Sequence, residues 1–332
     1  MPSIPDAHVL VVLNSMRAGR LVPFLGAGVN RCGRPAESQW RVGEYLPDGR
    51  ELARKLASDF GFDQSGDDDL LRVAEFVAVT AGTGALRDSL HDIFVGEYPI
   101  TPVHRFFAGL PGALRKLGGR QPAQLLITTN YDDMVENAFR EAGEPLEVLK
   151  YIAEGPSQGR FVHVAADGKE SVPIEKPNEY TDLPIDPKSQ ELKRSLLVKV
   201  HGAVHRADPE QDSYVITEDH YIDYLTRSNL RTLIPSALVG KLTGCAFLFM
   251  GYGLRDWNLR ALLRQVWGEQ KFKYVSWAIQ LAPDLLEQKF WQQRNVEIIE
   301  ARLEEYIVLL DQRLGHLVAD ASAAPAAAPA SP

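Results

Sequence analysis

Short apolar segments alternate with longer amphipathic ones, and this alternation is what most limits the folds open to the sequence. Several of the short segments are apolar throughout, as expected of strands covered by helices on both faces of a sheet. Strands that alternate with helices predict an α/β fold with a doubly wound, mostly parallel sheet. The predicted strands are 21–25, 124–129, 196–200, 246–250, 274–280 and 296–299. The predicted helices are 7–18, 51–60, 69–80, 85–95, 133–141, 229–242, 256–267, 283–294 and 302–318.

Two stretches interrupt this alternation within one predicted domain, residues 1–319. Residues from about 33 to 122 contain helical patterns but no convincing strand, which predicts a helical insertion after the first strand. Residues from about 150 to 192 are rich in Pro, Gly and charge, and predict a long excursion with room for one hairpin. Residues 320–332 are almost entirely Ala, Pro and Ser, a composition that buries little and predicts disorder.

The charge of the chain disfavours direct binding to nucleic acid. The formal net charge is −8, whereas a nucleic-acid binder usually carries a basic surplus. Arg255, Arg260 and Arg264 form a local basic group that fits either a small patch or a solvated helix face. No apolar run reaches the roughly 18 residues of a membrane span, and the amino terminus lacks a signal-like segment, so we expect a cytoplasmic protein.

The two cysteines exclude a disulfide framework and a four-thiolate zinc site. Cys245 begins an apolar run, where a buried thiol is expected, and Cys32 lies in a Gly-rich segment. Activation of the Cys32 thiol would need an electropositive setting that the sequence does not reveal. We therefore expect no structural metal.

Two of the predicted strands lead into glycine turns. The strand 21–25 leads into Gly26-Ala27-Gly28, and the strand 246–250 leads into Gly251-Tyr252-Gly253. Glycine lets the backbone approach a phosphate, whose charge the following N–H groups can bind. Such turns are also common as plain tight turns, so this signal alone leaves both readings open.

Two further strands end in polar side chains. Asn130 and Asp132 follow one strand, and His201 follows another. In open α/β sheets ligands bind at the carboxyl ends of the strands, and an imidazole suits proton transfer near neutrality. The structural alternatives are that Asn130 or Asp132 caps the next helix and that His201 is a hydrogen-bonded structural residue. Asp256 is placed to cap the helix that follows it.

Taken in order, four motifs resemble those of the bacterial sirtuin-like domain family, which includes antiphage NAD hydrolases. They are Gly26-Ala-Gly, Thr128-Thr-Asn-Tyr-Asp, Lys199-Val-His-Gly and Gly251-Tyr-Gly-Leu-Arg-Asp-Trp-Asn258, and the resemblance spans roughly residues 20 to 265. The resemblance implies a Rossmann-like sheet with NAD lying across the strand ends. Where the family often has Ser or Thr two residues after the second Gly, this chain has Asn30.

The resemblance also implies roles for individual residues. Asn130 and Asp132 match the pair that faces the nicotinamide ribose, and His201 matches the general base. These three form the expected catalytic set. The expected NAD-binding residues are Gly26, Ala27, Gly28, Asn30, Thr129, Gly251, Tyr252 and Gly253.

The implied activity is hydrolysis of NAD to nicotinamide and ADP-ribose, in antiphage defence by NAD depletion (abortive infection). Two alternatives stay open: a non-catalytic NAD or ADP-ribose-binding regulatory subunit, and an NAD-dependent protein deacylase. Deacylases of the wider sirtuin class usually carry a four-cysteine zinc module, which two cysteines cannot build. Because constant hydrolysis would deplete the host, we expect control through a homo-oligomer or a separately encoded partner, such as a HerA-type ATPase. The apolar stripe of the predicted helix 302–318 fits core packing or an assembly interface.

Overall fold

The computed structural model describes residues 4–35, 38–62, 69–119, 121–226, 230–253, 263 and 272–323. Its strands are β1 (Leu21–Leu25), β2 (Leu125–Thr128), β3 (Leu146–Tyr151), β4 (Phe161–Val164), β5 (Ser195–Lys199), β6 (Gly202–Ala203), β7 (Ser213–Tyr214), β8 (Ala246–Met250), β9 (Ser276–Gln280) and β10 (Val296–Glu300). Its α-helices are α1 (Asp6–Arg17), α2 (Gly49–Phe60), α3 (Leu70–Ala81), α4 (Thr83–Phe94), α5 (Pro102–Lys116), α6 (Met134–Glu141), α7 (Glu218–Thr226), α8 (Leu230–Leu233), α9 (Ser236–Thr243), α10 (Leu285–Gln292) and α11 (Leu303–Ala323).

Eight strands form one sheet in the order β10-β9-β8-β1-β2-β5-β3-β4. All neighbouring strands are parallel except β3 and β4, which form an antiparallel pair at one edge. β1 lies in the middle, and the chain builds outward from it in both directions. This is a Rossmann-like, doubly wound, mostly parallel sheet, so the predicted fold class is confirmed.

Helices cover both faces of the sheet because successive residues of its central strands point to opposite sides. In β8, Phe247 and Phe249 pack into one core, while Ala246, Leu248 and Met250 pack into the other. The first core lies beneath α7, α9 and α10, and the second lies beneath α1, α5, α6 and α11. Burial on both faces explains why these strands are apolar throughout.

The segment between β1 and β2 contains a 3₁₀ turn and the helices α2 to α5. The helices α2, α3 and α4 build a third apolar core of their own, which reaches Tyr131 and Met134 beside the sheet. The sequence did not predict α5, because Gly109, Pro111 and Gly112 interrupt its helical pattern. Thr101 caps this helix and Pro102 occupies its first position, where its missing N–H costs no hydrogen bond.

Other elements also differ from the prediction. The predicted helix 229–242 is two helices, since Pro235 separates α8 from α9. The sequence did not predict β3, β4 or α7, and the predicted helix 256–267 lies outside the described ranges apart from Leu263. α11 continues to Ala323, four residues into the segment predicted to be disordered, because alanine favours helix. Its stripe packs Tyr306, Ile307, Leu310 and Leu314 into the second core.

Candidate functional site

The four strands that carry the sequence motifs are consecutive neighbours in the sheet. Their order is β8, β1, β2, β5, and all four run in the same direction. The last residues of the strands are in register: Leu25 pairs with Met250 on one side and with Thr128 on the other, and Thr128 pairs with Lys199. The two glycine turns and the segments after β2 and β5 therefore leave the same edge of the sheet.

The two glycine turns pack directly against each other. The amide of Gly26 donates to the carbonyl oxygen of Met250 at 2.9 Å, and the amide of Gly28 donates to that of Gly251 at 2.9 Å. A Cβ atom at Gly28 would lie 2.8 Å from the oxygen of Gly251. The glycines therefore serve the close contact between the turns, independently of any phosphate.

We expect Gly251→Ala to destabilise the protein by at least about 2 kcal/mol, through backbone strain and overpacking. Gly251 has a φ of +75°, and a Cβ there would lie 2.5 Å from the backbone nitrogen of Val29. Gly253→Ala is the matched control, since a Cβ at Gly253 meets no described atom within 4 Å. Urea unfolding measures both, and the control should stay within about 0.5 kcal/mol of wild type. Equal losses in both variants would contradict the assigned contact.

The segment after β2 brings its polar side chains against both turns. The side-chain amide of Asn130 donates to the carbonyl oxygen of Gly26 at 3.4 Å. The hydroxyl of Thr129 lies 2.8 Å from that of Tyr252. Asn130 is 8% exposed, and its Oδ1 has no hydrogen-bond partner among the described residues. A buried carbonyl oxygen left without a partner is costly, so it points to a ligand or water at this position.

Asp132 is buried between this segment and the turn after β1. Its Oδ1 accepts a hydrogen bond from the amide of Met134, the first residue of α6, at 3.1 Å. The N-cap of α6 is Asp133, whose side chain makes no capping hydrogen bond, so Asp132 is not the helix cap that the sequence offered as an alternative. Its Oδ2 accepts from the side-chain amide of Asn30 at 3.4 Å, and Oδ1 of Asn30 is without a partner in the described part of the chain. Burial raises the pKa of Asp132, while the ammonium group of Lys199 opposes that increase.

His201 is buried at the end of β5 with one ring nitrogen engaged. Its Nδ1 lies 3.3 Å from the hydroxyl of Tyr221, and its ring makes edge contacts with Tyr221 and Tyr224 of α7. Its Nε2 is buried and, within the described ranges, has no hydrogen-bond partner. Burial lowers the pKa of His201 to about 3, so the imidazole is neutral near pH 7. No described hydrogen bond joins His201 directly to Asn130.

A cavity of about 630 Å³ adjoins the glycine turns on the side of β8 to β10. Gly28, Gly251, Tyr252 and Gly253 contribute to its lining. Four arginines also line it, together with the acidic residues Asp48 and Glu304: Arg31, Arg34, Arg50 and Arg302. Three of these arginines form ion pairs: Arg31 with Asp48, Arg34 with Glu51, and Arg302 with Glu304. The cavity keeps a small positive excess and is large enough for a nucleotide-sized anion.

Sequence reasoning missed three residues that contact the predicted site residues. Lys199 was part of a recognised motif but received no role, although its buried ammonium group contacts the loop after β2. Tyr221 lies in α7, which the sequence did not predict, and Arg34, which donates to the backbone oxygen of Asn30 at 3.2 Å, lies in the predicted helical insertion. Of these three residues, only Lys199 could have been recognised from the sequence, because a lysine within an apolar strand needs a buried partner for its charge.

Both cysteines are buried in the structure. Burial raises the pKa of Cys32 to about 12, so this thiol is inert at neutral pH. The described residues hold no group of three or more His, Cys, Asp or Glu side chains suited to a metal ion. None of the described helices combines the length and apolar character needed to cross a membrane. The basic group of Arg255, Arg260 and Arg264, the Asp256 cap and the motif residues 254–258 lie outside the described residues.

The fold defines an α/β protein of the Rossmann-like class. The model of the SIR2-like domain family matches residues 124–299, more than half of the chain, and the chain belongs to that family. The match begins after the first glycine turn. That turn is joined to the matched part by its contacts with Gly251 and Asn130.

Curated relatives agree with this family. The chain is 24% identical to Defense-associated sirtuin 2 of Bacillus subtilis over 318 residues, which is 90% of this chain and 26% of the relative. It is 27% identical to NAD(+) hydrolase ThsA of Enterococcus faecium over 218 residues, covering 65% of this chain and 36% of the relative. It is 23% identical to NAD(+) hydrolase ThsA of Bacillus cereus (strain MSX-D12) over 218 residues, with the same two coverages. The chain therefore spans between about a quarter and a little over a third of the length of these curated relatives.

Proposed function

We propose that this chain binds NAD across the ends of β8, β1, β2 and β5 and hydrolyses its nicotinamide–ribose bond. The observation that carries the proposal is a set of three buried polar atoms without partners among the described residues: Oδ1 of Asn30, Oδ1 of Asn130 and Nε2 of His201. They belong to three segments that leave the same sheet edge. A ligand with several hydroxyl groups, such as the nicotinamide ribose and its attacking water, would satisfy them.

The expected binding residues fit this substrate. Gly26, Ala27 and Gly28 would lie against the pyrophosphate, and Gly251, Tyr252 and Gly253 would lie toward the adenosine side, beside the positive cavity. Asn30 and Thr129 border the same turns. The curated relatives named NAD(+) hydrolase support NAD as the substrate.

In the proposed reaction the bond between ribose C1′ and the pyridinium nitrogen breaks, and its electron pair stays with nicotinamide. Nicotinamide leaves as a neutral molecule, so its departure needs no strong acid. The ribose passes through an oxocarbenium-like transition state, and water adds to C1′ to give ADP-ribose and a proton. Asn130 would orient the water and the ribose hydroxyls, and Asp132 would hold the ribose or its neighbours.

His201 would act on the attacking water through Nε2. A neutral imidazole with a pKa of about 3 is a weak base, but the attacking water becomes strongly acidic as its oxygen bonds to C1′, so Nε2 can accept its proton at that stage. Nε2 would accept a hydrogen bond from water and take its proton as the C–O bond forms. The proton then passes to solvent.

Incubating purified protein with NAD and separating the products by chromatography tests the proposal. Free nicotinamide and ADP-ribose in equal amounts are the expected products. Binding of NAD without release of nicotinamide would instead favour a regulatory subunit. Release that depends on an added acyl-lysine peptide would favour a deacylase.

We expect Tyr221→Phe to lower kcat about 3- to 10-fold, because it removes one hydrogen bond to His201 and that factor corresponds to the free energy of one such bond. A proton on Nδ1 that bonds to the Tyr221 hydroxyl leaves the lone pair on Nε2 free. Tyr224→Phe is the matched control, because Tyr224 also packs against His201 but its hydroxyl is without a partner in the described part of the chain. Steady-state assays measure both variants, and an equal loss of kcat in each would contradict the role of Tyr221.

The relative named Defense-associated sirtuin 2 supports a role in defence, which NAD hydrolysis by this chain would serve through NAD depletion. Control by assembly belongs to the same proposal, with a homo-oligomer or a HerA-type ATPase as the assembling partner. Specific activity that rises with protein concentration, or on addition of the partner, would support it. Constant specific activity in a monomer would contradict it.

A further inference from the structure

We propose that Lys199 is a positioning residue of the candidate site, whose buried ammonium group holds the loop after β2 and supplies the positive charge that faces Asp132. This inference rests on the proposed function and names a residue to which neither the sequence motifs nor the comparisons give a role. Lys199 ends β5 and is 1% exposed.

The ammonium group of Lys199 links three elements. It donates to the backbone carbonyl oxygen of Asp132, in the loop that also carries Asn130. It also donates to Oε1 of Glu136 in α6 at 2.9 Å. Lys199 is therefore anchored on β5 while its charged end is bonded to the loop after β2 and to the helix that follows.

A buried lysine is costly unless its charge is balanced, so its position here needs a reason. Glu136 alone would balance it as a structural ion pair. The contact with the Asp132 carbonyl has a second effect beyond charge balance: it fixes the position of the backbone between Asn130 and the start of α6. His201 follows Lys199 by two residues, so the same strand end positions both groups.

The charge of Lys199 also acts on the Asp132 side chain. Burial raises the pKa of Asp132, and Lys199 is the largest influence that opposes the increase. The amide of Met134 and the side chain of Asn30 oppose it as well, while Asp133 adds to it. Tyr98 and His104 also belong to this electrostatic group: Asp132 contributes to the raised pKa of Tyr98, and Lys199 contributes to the lowered pKa of His104.

The sign of the expected pH effect follows from these influences. Without the ammonium group, the pKa of Asp132 rises further, so its carboxylate is protonated at a higher pH. If the ionised carboxylate supports turnover, the acid limb of the kcat profile moves to higher pH. A nearby opposite charge typically lowers a carboxyl pKa by about 1–3 units, so we expect a shift of at least about one unit.

The test compares Lys199→Met with Glu136→Gln. Both variants break the same buried ion pair and should lose stability, but only Lys199→Met removes the positive charge near Asp132. We expect the acid limb to move up by at least about one pH unit in Lys199→Met and to stay within about 0.3 units of wild type in Glu136→Gln. Equal behaviour of the two variants would show that Lys199 has only a structural role.

Two further variants keep the test decisive if Lys199→Met does not fold. Lys199→Gln retains a donor for the Asp132 carbonyl but carries no charge, and should show the same shift. Lys199→Arg retains the charge and should keep the acid limb of wild type. Asp132→Asn removes the group that titrates and should remove the limb itself.

The outcome separates this inference from the proposed function. If wild-type protein releases nicotinamide and Lys199→Gln keeps the wild-type acid limb, only the role of Lys199 is overturned. If wild-type protein releases none, the hydrolase proposal fails. The Asp132 carboxyl can then be titrated by ¹³C NMR in wild type and in Lys199→Gln, where a raised pKa in the variant supports the inference and an unchanged pKa overturns it.

Discussion

We expect the His201→Ala protein to release nicotinamide from NAD at least about 100-fold more slowly than wild type, the lower figure for loss of a general base. Nε2 of His201 is buried and, in the described part of the chain, makes no hydrogen bond, so no structural contact of that atom is lost. The loss should therefore appear in kcat, while the dissociation constant for NAD changes little. Single-turnover kinetics and calorimetric titration with NAD separate the two quantities.

The control for His201→Ala is His8→Asn. His8 is a half-buried histidine, with a pKa lowered to about 4, and its Nε2 lies 2.9 Å from the hydroxyl of Tyr306 beneath a different part of the sheet. This variant also loses a desolvated, hydrogen-bonded imidazole but should retain kcat. A His201→Ala protein with kcat within about threefold of wild type would remove His201 from the mechanism.

The stability of wild type relative to His201→Ala depends on pH, because the pKa of His201 differs between the folded and unfolded chain. Burial lowers the pKa of His201 from 6.5 to about 3, so the folded protein binds this proton less readily than the unfolded chain. Its contribution to stability is therefore complete above pH 6.5 and is lost as the pH falls toward 3. Comparison at about pH 8 avoids this difference. The same low pKa means that any acid limb in the kcat profile near pH 6 belongs to another group, such as Asp132.

Replacement of Asn130 by alanine is expected to lower kcat by about 100-fold, because a misplaced water or ribose loses roughly that factor. The side-chain amide nitrogen of Asn130 donates to Gly26, and its carbonyl oxygen has no partner among the described residues. Alanine removes both groups at once. The measurement is again nicotinamide release under saturating NAD.

Two companion variants define what the Asn130 result means. Asn130→Asp keeps a side-chain acceptor of the same size but lacks the donor to Gly26, so it separates the two groups. Asn137→Ala, in α6, is the control, since that side chain pairs with Asp133 and Arg140 away from the turns. Unchanged turnover in Asn130→Ala, with NAD still bound, would end the assignment of Asn130 to the reaction.

Much of the fold could be predicted because its central strands are defined locally. The six predicted strands are all present, since runs such as Ala246–Met250 suit only a segment buried on both faces. β3 and β4 were missed because they pair at the edge of the sheet, where Leu146–Tyr151 mixes charged and apolar residues. α5 was missed because tertiary packing against α6 and α11 overrides the glycines and the proline in its sequence.

The sequence predicted which residues belong to the candidate site, but it did not predict the contacts among them. The motifs identified Gly26, Asn130, His201 and Gly251 without giving the distances between them. The structure adds the packing of the two glycine turns and the 3.4 Å contact from Asn130 to Gly26. It also adds Tyr221 beside His201, at 3.3 Å.

The amino-acid sequence by itself determined where six of the eight strands of the large sheet lie, that this sheet is mostly parallel, and which residues follow its central strands. The reason is local, because apolar runs, glycine turns and helical periodicity act over a few residues. Only the tertiary structure decided that Lys199 contacts Asp132 across 67 positions and that Asn130 contacts Gly26 across 104. Such partners depend on strand order and on the packing of distant segments, which no local pattern encodes.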